Sequence, residues 1–315
     1  MTYESMTGLG KEIFDNISRV LIGQEATVKL LITCLLSNGH VLLEDLPGTG
    51  KTTLAKALAC SIDGVFQRIQ FTPDLLPADI TGMRIFQPDT HSFSFIPGPV
   101  FSNILLADEI NRATPRTQSA LLECLEEAQV TDGGETRILV PPFFVIATQN
   151  PVETQGTFML PEAQLDRFMM KLSMAVPTLD QTAEIMEKIQ LQHPIESLHA
   201  VTDKEALLQA IGEVKKVYLS HELFLYIASL CKAAQNPELV KLGPSPRAAI
   251  AVMRTSQAYA YLHGRDYVIP DDVKAVFLPV IHHRMILRGS SSEERISAFL
   301  TECMDKVPVP TEDRL

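Results

Sequence analysis

A glycine-rich segment that ends in a lysine and a threonine is the first place where this sequence could do chemistry. Residues 45–52 (DLPGTGKT) match the pattern G-x-x-x-x-G-K-[ST], except that Asp45 stands at its first glycine position. In this pattern backbone amides surround phosphates, the lysine neutralises them, and the hydroxyl binds Mg²⁺. A strand-like run before the segment and a helical pattern after it favour an ATP site over a simple turn with a surface lysine. The predicted nucleotide contacts are Pro47, Gly48, Thr49, Gly50, Lys51, Thr52 and Thr53.

A pair of carboxylates follows a second apolar run. Residues 104–107 (ILLA) predict a buried strand, and Asp108 and Glu109 come directly after it. In isolation such a pair is also typical of a solvated strand end. Next to a phosphate loop it fits ATP hydrolysis, in which Asp108 binds magnesium and Glu109 orients or deprotonates the attacking water. We therefore predict Thr52 and Asp108 as metal ligands and Glu109 as a catalytic residue.

The elements that must position these residues alternate between strands and helices in the first half of the chain. This alternation predicts an α/β fold: a P-loop NTPase core with a mainly parallel five-stranded sheet between helices. Two stretches interrupt it, since residues 83–97 lack a helical period and residues 129–140 contain an Asp-Gly-Gly turn signal, and each predicts an inserted hairpin. The predicted strands of the sheet are 41–44, 66–71, 104–107, 143–148 and 169–174.

The second half of the chain has helical patterns throughout. Thr178 with Gln181 forms a capping-box pattern that marks the start of the first of these helices. We therefore predict two domains. Residues 1–177 form the nucleotide-binding core, and residues 178–315 form a small all-α lid domain.

The charge balance argues against two classes of partner. Acidic residues number 38 and basic residues 27 in this 315-residue chain, which gives a net charge of −11. Tight binding to nucleic acid relies on a basic surface, and an anionic membrane attracts basic segments. We therefore expect no nucleic-acid partner and no membrane insertion.

The cysteines and the N-terminus favour a cytoplasmic location. The five cysteines are widely scattered and form no C-x-x-C pair, which is typical of reduced thiols. The first residues lack a basic region followed by an apolar run, and no apolar stretch approaches the roughly 18 residues of a membrane span. His282-His283 has no metal-ligand spacing, and a surface or structural role is expected for it.

The motifs together resemble those of an AAA+ ATPase. The phosphate loop and the acidic pair are followed by residues 147–151 (ATQNP) and 160–168 (LPEAQLDRF). Residues 69–82 (IQFTPDLLPADITG) and 109–113 (EINRA) are similar to the MoxR branch, which has a helix-two insert and a hairpin before sensor 1. Asp45 is compatible with that branch.

The resemblance implies roles for further residues. Asn150 resembles sensor 1, Arg247 resembles sensor 2 and would meet the phosphates from the lid, and Ile22 with Gly23 resembles the adenine-binding segment. Arg167 resembles the arginine finger, which is presented to a neighbouring subunit. Alternatives stay open: a turn-capping role for Asn150, a simple turn at Gly23, and a salt bridge of Arg167 with Asp166 or Glu162. Arg112 and Arg116 are rival candidates for the finger.

What the family implies for function is a ring, usually a hexamer, that hydrolyses ATP and remodels or matures client proteins. Clients with a von Willebrand factor A domain are one expectation, and the predicted hairpins would couple nucleotide state to them. Three other readings are a nucleic-acid motor, a nucleotide-gated scaffold and an activator of polymerase with an alternative sigma factor. The charge disfavours the first, the catalytic residues disfavour the second, and the absence of a Gly-Ala-Phe-Thr-Gly-Ala loop disfavours the third.

Overall fold

The structure is a computed structural model that describes residues 6–44, 48–150, 157–191, 194–289 and 292–310. Its secondary structure divides into an α/β part that ends at residue 172 and a mainly helical part that begins at residue 179. Among the described residues, no helix combines the length and the apolar character that crossing a membrane requires.

The strands and helices are numbered in chain order. The strands are β1 (Val41–Glu44), β2 (Phe66–Gln70), β3 (Gly82–Gln87), β4 (Ser92–Pro97), β5 (Ile104–Asp108), β6 (Gln129–Asp132), β7 (Glu135–Ile138), β8 (Phe144–Gln149), β9 (Met170–Leu172), β10 (Val240–Leu242) and β11 (Ile286–Leu287). The α-helices are α1 (Gly8–Ser18), α2 (Glu25–Leu36), α3 (Lys51–Ser61), α4 (Pro77–Thr81), α5 (Pro115–Glu127), α6 (Glu162–Leu165), α7 (Leu179–Leu191), α8 (Lys204–Val214), α9 (His221–Ala233), α10 (Pro246–Leu262), α11 (Pro270–Ile281) and α12 (Glu293–Lys306).

The central sheet has five parallel strands in the order β2-β5-β8-β1-β9. Its inner strands β1, β5 and β8 are almost entirely buried, because helices cover both faces. Strand β8 lies between β1, which leads into the phosphate loop, and β5, which ends in the acidic pair. The predicted fold class, a P-loop-type α/β core followed by a helical region, is confirmed.

The parallel arrangement gives the sheet two distinct ends. The carboxyl edge is the end at which β1, β5 and β8 finish, at Glu44, Asp108 and Gln149. The amino edge is the opposite end, where His40 precedes β1 and Met169 precedes β9. Ligands of open parallel sheets bind beyond the carboxyl ends of the strands, so the two edges are expected to differ in function.

Two antiparallel hairpins extend from the α/β part. One is formed by β3 and β4, with Gly82 paired to Pro97, and the other by β6 and β7, with Gln129 paired to Ile138. The helical part is not purely helical, because β10 and β11 pair as a small ribbon. This ribbon was not predicted, since strands of two or three residues are too short to show a period.

The helical part packs onto α1 and α2 on one side of the sheet. Helix α10 contacts α1, α2 and α11, and buried residues of both parts form one continuous apolar cluster. Two residues set the start of α10. The Ser245 hydroxyl accepts a hydrogen bond from the Ala248 amide, and Pro246 occupies the first helical position. The predicted capping box is also present, because Thr178 and Gln181 exchange backbone–side-chain hydrogen bonds.

Candidate ATP site and arginine surface

The phosphate loop turns through glycines that adopt left-handed backbone angles. Gly48 has φ +87° and Gly50 has φ +95°, a region that L side chains rarely adopt. Helix α3 begins at Lys51 directly after them, so the N-terminus of the helix, which favours anions, lies at the phosphate loop. Pro47, a predicted nucleotide contact, lies outside the described residues.

One cavity at the carboxyl edge brings the predicted catalytic groups together. It has a volume of about 420 Å³. The phosphate loop forms one wall, and the ends of β2, β5 and β8 form the other. Its lining residues are Gly48, Gly50, Lys51, Thr52, Arg68, Gln70, Asp108, Glu109, Thr148 and Asn150.

The backbone of the acidic pair is fixed by the neighbouring strand. The Thr148 hydroxyl at the end of β8 donates to Asp108 Oδ1 at 2.6 Å and accepts from the Glu109 amide at 2.8 Å. Glu109 has φ +56°, which is uncommon for a residue with a side chain. Strain of this kind is found where the surrounding structure enforces it, often at functional sites. Thr148 therefore holds Asp108 and Glu109 in a defined relative position.

The side chain of Glu109 is held by two donors in this structure. Gln70 Nε2 and Arg112 Nη1 both donate to its Oε2 atom, at 2.8 Å and 3.0 Å. A role for Gln70 was not predicted from the motifs. Its position at the end of β2, beside the Asp108 end of β5, is the feature that would have suggested one.

The residues at this cavity fit a magnesium ion that is bound together with nucleotide. The Thr52 hydroxyl and the Asp108 carboxylate line the same cavity, and both are oxygen ligands of the kind that Mg²⁺ prefers. Asp108 Oδ2 accepts a hydrogen bond from Arg68 Nη2 at 2.7 Å, so this carboxylate already faces one positively charged group, the Arg68 guanidinium. Within the described ranges no cluster of three or more His, Cys, Asp or Glu residues could hold a metal alone. Mg²⁺ typically uses one or two carboxylates and takes its other ligands from phosphate and water.

A second, more apolar cavity of about 240 Å³ adjoins the first. The two share Gly48 and Gly50, so a nucleotide could extend from one into the other. Ile22 lines this second cavity, as expected for an adenine site. The other lining residues are Val20, Leu21, Gln24, Thr49, Thr53, Pro177, Ile185, Lys188, Ile189, Pro194 and Ile195.

Gly23 lies beside the apolar cavity and is not among its lining residues. It has φ +73°, and a Cβ atom there would meet the Gln181 amide at 2.6 Å. The close approach of Gln181 in α7 therefore requires glycine at this position, and this requirement fits a turn. Helix α7, which supplies Ile185 and Ile189 to the cavity, was not predicted as part of the adenine site.

Asn150 lies at the phosphate cavity, in the position expected for sensor 1. It follows β8, is 8% exposed, and its carbonyl accepts from Asn111 Nδ2 at 3.4 Å. Asn150 is buried and lines this cavity together with Lys51 and Glu109, which fits a polar group at the phosphates.

Arg167 and Arg247 lie together at the amino edge of the sheet. Arg167 Nε donates to Glu126 Oε2 at 2.9 Å, and Arg247 Nη2 donates to Glu126 Oε1 at 2.6 Å. These residues line a cavity that also includes His40 and Met169, the residues that precede β1 and β9.

The placement of Arg247 corrects the expectation that it meets the phosphates of its own chain. The phosphate cavity lies beyond the end of β1, and four strand residues span about 13 Å. Arg247 lies near the opposite end of that strand and is absent from the described lining of the phosphate cavity. The physical reason is the docking of the lid, since α10 packs against α1 and α2 and so carries its N-terminus to the amino edge.

The ion pairs of Arg167 also differ from the alternatives considered from sequence. Its carboxylate partner is Glu126 and not Asp166 or Glu162. Asp166 instead pairs with Arg284 of the helical part, at 2.6 Å. Of the rival fingers, Arg112 contacts Glu109 of its own chain and Arg116 is exposed on the first turn of α5.

The backbone that presents Arg167 is fastened to the helical part by two buried side chains. Arg284 donates to the carbonyls of Asp166, Phe168 and Met169, and His283 Nε2 donates to the Phe168 carbonyl at 3.0 Å. Burial among these groups keeps the pKa of His283 well below its ordinary value, so it is neutral. The expectation of a structural role for His283 is therefore supported by its contacts.

Comparison with known proteins agrees with this architecture. Residues 40–170 match the ATPase family associated with various cellular activities (AAA), and residues 232–302 match the AAA lid domain. A solved structure of a protein from Cytophaga hutchinsonii, considered an ATPase, has a TM-score of 0.86 and 38% identity, and the match covers 96% of this chain and 95% of that one.

Relatives with curated descriptions cover nearly the whole chain. The uncharacterized protein YeaC of Bacillus subtilis is 47% identical over 96% of this chain and 95% of its own length. Chaperone MoxR1 of Mycobacterium tuberculosis is 40% identical over 92% of this chain and 78% of its own. Protein MoxR of Paracoccus denitrificans is 31% identical over 93% and 94%. With its phosphate loop, acidic pair and lid arranged as described, the chain belongs to the MoxR family of AAA+ ATPases.

Proposed function

We propose that this chain hydrolyses ATP to ADP and phosphate with Mg²⁺, in a homo-oligomeric ring, and uses the reaction to remodel partner proteins. The observation that supports hydrolysis is the convergence of Lys51, Asp108, Glu109 and Asn150 on one cavity that adjoins an apolar cavity. The first suits a triphosphate and the second suits an adenine base.

The residues predicted to bind nucleotide or to catalyse hydrolysis each have a distinct task in this proposal. The amides of the loop and the Lys51 ammonium would bind the β- and γ-phosphates, and Thr52 and Asp108 would hold magnesium, which would supply positive charge next to the phosphates. Glu109 takes a proton from the attacking water or orients it, and Asn150 positions that water or the γ-phosphate. Gln70 and Arg112 donate to the Oε2 atom of Glu109, and release of these hydrogen bonds would let that oxygen turn to water.

The positions of Arg167 and Arg247 support oligomerisation, because neither residue lines the phosphate cavity of its own chain. Arg167 and Arg247 lie on a surface at the amino edge, and phosphates bind at the carboxyl edge. If one copy placed its amino edge against the carboxyl edge of the next, both arginines would face that neighbour's phosphates. Such a head-to-tail contact repeats from subunit to subunit and closes into a ring, a hexamer in this proposal. An arginine supplied in this way can accelerate hydrolysis by about 10³–10⁵.

Mixing two inactive variants tests this arrangement. Glu109→Gln removes catalysis from a subunit's own site but leaves its arginines, and Arg167→Ala does the reverse. In a random equal mixture, about a quarter of the interfaces join an intact Glu109 to an intact Arg167, so phosphate release should return. If Arg167 acts within its own chain, no subunit is complete and the mixture stays inactive.

The role in remodelling is supported by the exposed hairpin β3–β4 and by the description of a relative as a chaperone. Phe86 and Phe93 pack against each other on the outer part of this hairpin and are 47% and 67% exposed. We propose that clients, including proteins with von Willebrand factor A domains, contact such surfaces in the cytoplasm. Glu109→Gln protein held with ATP should retain a client from a lysate of its own cells, and Lys51→Ala protein, which cannot bind ATP, should not. Equal recovery with both would contradict nucleotide-dependent remodelling.

A further inference from the structure

The carboxylate of Glu126 joins two arginines that come from different parts of the chain. Its Oε2 atom accepts from Arg167, which precedes β9, and its Oε1 atom accepts from Arg247, at the start of α10. One oxygen serves each arginine. The two guanidinium groups are therefore held close together by a single anion, although their charges repel.

The charges of Glu126 and Arg247 both lie at helix ends where the helix dipole disfavours them. Glu126 is in the last turn of α5, where the partial charge of the helix is negative, and Arg247 is in the first turn of α10, where it is positive. Each would be disfavoured alone and each stabilises the other. Consistent with this, the hydrogen bonds from Arg167 and then Arg247 lower the pKa of Glu126, which stays ionised.

The atoms used in the contact leave room for a phosphate. Arg167 binds Glu126 through Nε, and Arg247 binds it through Nη2. A guanidinium has five N–H donors, so each arginine keeps most of them for another anion. The side chains of Glu126 and Arg247 are 39% and 54% exposed, so a phosphate could reach them without unfolding of the surface.

We propose that Glu126 is a positioning residue that holds Arg167 and Arg247 as one pair for the triphosphate of a neighbouring copy of this chain. This inference rests on the proposed function, in which those arginines act on a neighbour's nucleotide. The carboxylate cancels one of the two positive charges and fixes the direction of both guanidinium groups. Arg284 fixes the backbone on either side of Arg167, so the brace at Nε completes the orientation of that side chain.

The test compares variants of one helical turn in the full-length protein. Glu126→Gln keeps the size of the side chain and removes its charge, and Glu127→Gln, one residue further on, makes the same change at an exposed carboxylate that contacts Gln129. Glu126→Gln should lower kcat by about tenfold or more, since a small misplacement of a catalytic group has a cost of this order. The ATP affinity of the variant's own site, measured with a fluorescent ATP analogue, should not change. Glu127→Gln should behave like the wild type, and Glu126→Asp should recover part of the rate.

A variant cycle separates this role from a structural one. In a background that carries both Arg167→Ala and Arg247→Ala, Glu126→Gln should have little further effect on kcat, because both groups that it positions are gone. A merely structural effect, such as loosening of the lid, would multiply with the loss of the two arginines, and this outcome would overturn the proposal.

The same measurements distinguish failure of the inference from failure of the proposed function. If Arg167→Ala and Arg247→Ala lower kcat but Glu126→Gln does not, Glu126 has no positioning role and the trans arrangement stands. If the arginine variants themselves hydrolyse ATP at the wild-type rate, the trans arrangement fails and the role of Glu126 fails with it.

Discussion

The two edges of the central sheet place charged side chains in opposite ways. At the carboxyl edge, Lys51, Asp108 and Glu109 converge on a cavity within one chain. At the amino edge, Arg167 and Arg247 lie on an accessible surface and are braced by Glu126. The cavity at the first edge does not include Arg167 or Arg247 among its lining residues, and the second edge presents these two arginines away from that cavity. In the proposed function this difference makes an interface between two copies the unit of catalysis.

The largest effect is expected where the two edges would meet. Arg167→Lys keeps the positive charge but loses the planar fork that binds two phosphate oxygens. We expect kcat to fall by about 10²–10³, while the affinity of the variant's own site for ATP is unchanged. Steady-state phosphate release and equilibrium nucleotide titration measure the two quantities. Loss of nucleotide affinity in the variant would place Arg167 at its own phosphate site and remove the distinction between the edges.

A buried histidine at the amino edge is expected to make the stability of the fold sensitive to pH. His40 lines the same cavity as Arg167 and Arg247. It donates to the Leu125 carbonyl and accepts from the Val145 amide, and burial lowers its pKa to about 4. In the unfolded chain its pKa is about 6.5. The unfolded state therefore takes up the proton first as the pH falls, so stability that is present above pH 6.5 is lost down to about pH 4. The loss is on the order of 3 kcal/mol.

Thermal unfolding between pH 7 and pH 4.5 measures this effect. His40→Gln removes the titrating group, so the unfolding temperature of the variant should depend less steeply on pH, even if the variant is less stable throughout. His199→Gln changes an exposed histidine between α7 and α8 and serves as the control. Its unfolding temperature should depend on pH as steeply as that of the wild type. An unchanged slope in His40→Gln would show that His40 does not dominate the acid sensitivity.

Arg247→Ala is expected to have a smaller effect than Arg167→Lys. Arg247 is more exposed than Arg167, and loss of one exposed charged donor should lower kcat by about tenfold to thirtyfold. Lys51→Ala is the contrasting variant, because it should abolish ATP binding at its own site. Nucleotide titration of both variants measures whether Arg247, like Lys51, contributes to ATP affinity at its own site. A matching loss of ATP affinity in Arg247→Ala would support a contact within the chain after all.

The smallest expected effect lies within the carboxyl edge. Gln70→Ala removes one of the two donors that hold Glu109 Oε2, so the carboxylate should turn toward water more readily. We expect the basal ATPase rate to rise by about twofold to fivefold, the range of one exposed hydrogen bond. A multi-turnover phosphate assay detects this change. A fall in rate with unchanged nucleotide affinity would instead assign Gln70 to the active conformation.

Much of the carboxyl edge was predictable because its chemistry is encoded in contiguous residues. Left-handed glycines, a lysine at a helix start and two carboxylates after a buried strand are each local features, and parallel strands bring their ends to one edge. The roles of Gln70 and Arg68 were not predicted, because β2 lies next to β5 only after the sheet has formed. The role of Gly23 could not be predicted from sequence, since a turn glycine and a ligand-contacting glycine look the same there.

By itself the sequence determined the fold class, the phosphate loop, the acidic pair and the identity of Arg167 and Arg247 as residues of interest. Only the tertiary structure decided where those arginines lie. Glu126 is 41 residues from Arg167 and 121 residues from Arg247 along the chain, and no local pattern links them. Their meeting depends on how the lid packs against α1 and α2, and that packing is set by many apolar contacts of low specificity whose sum is visible only in the folded chain.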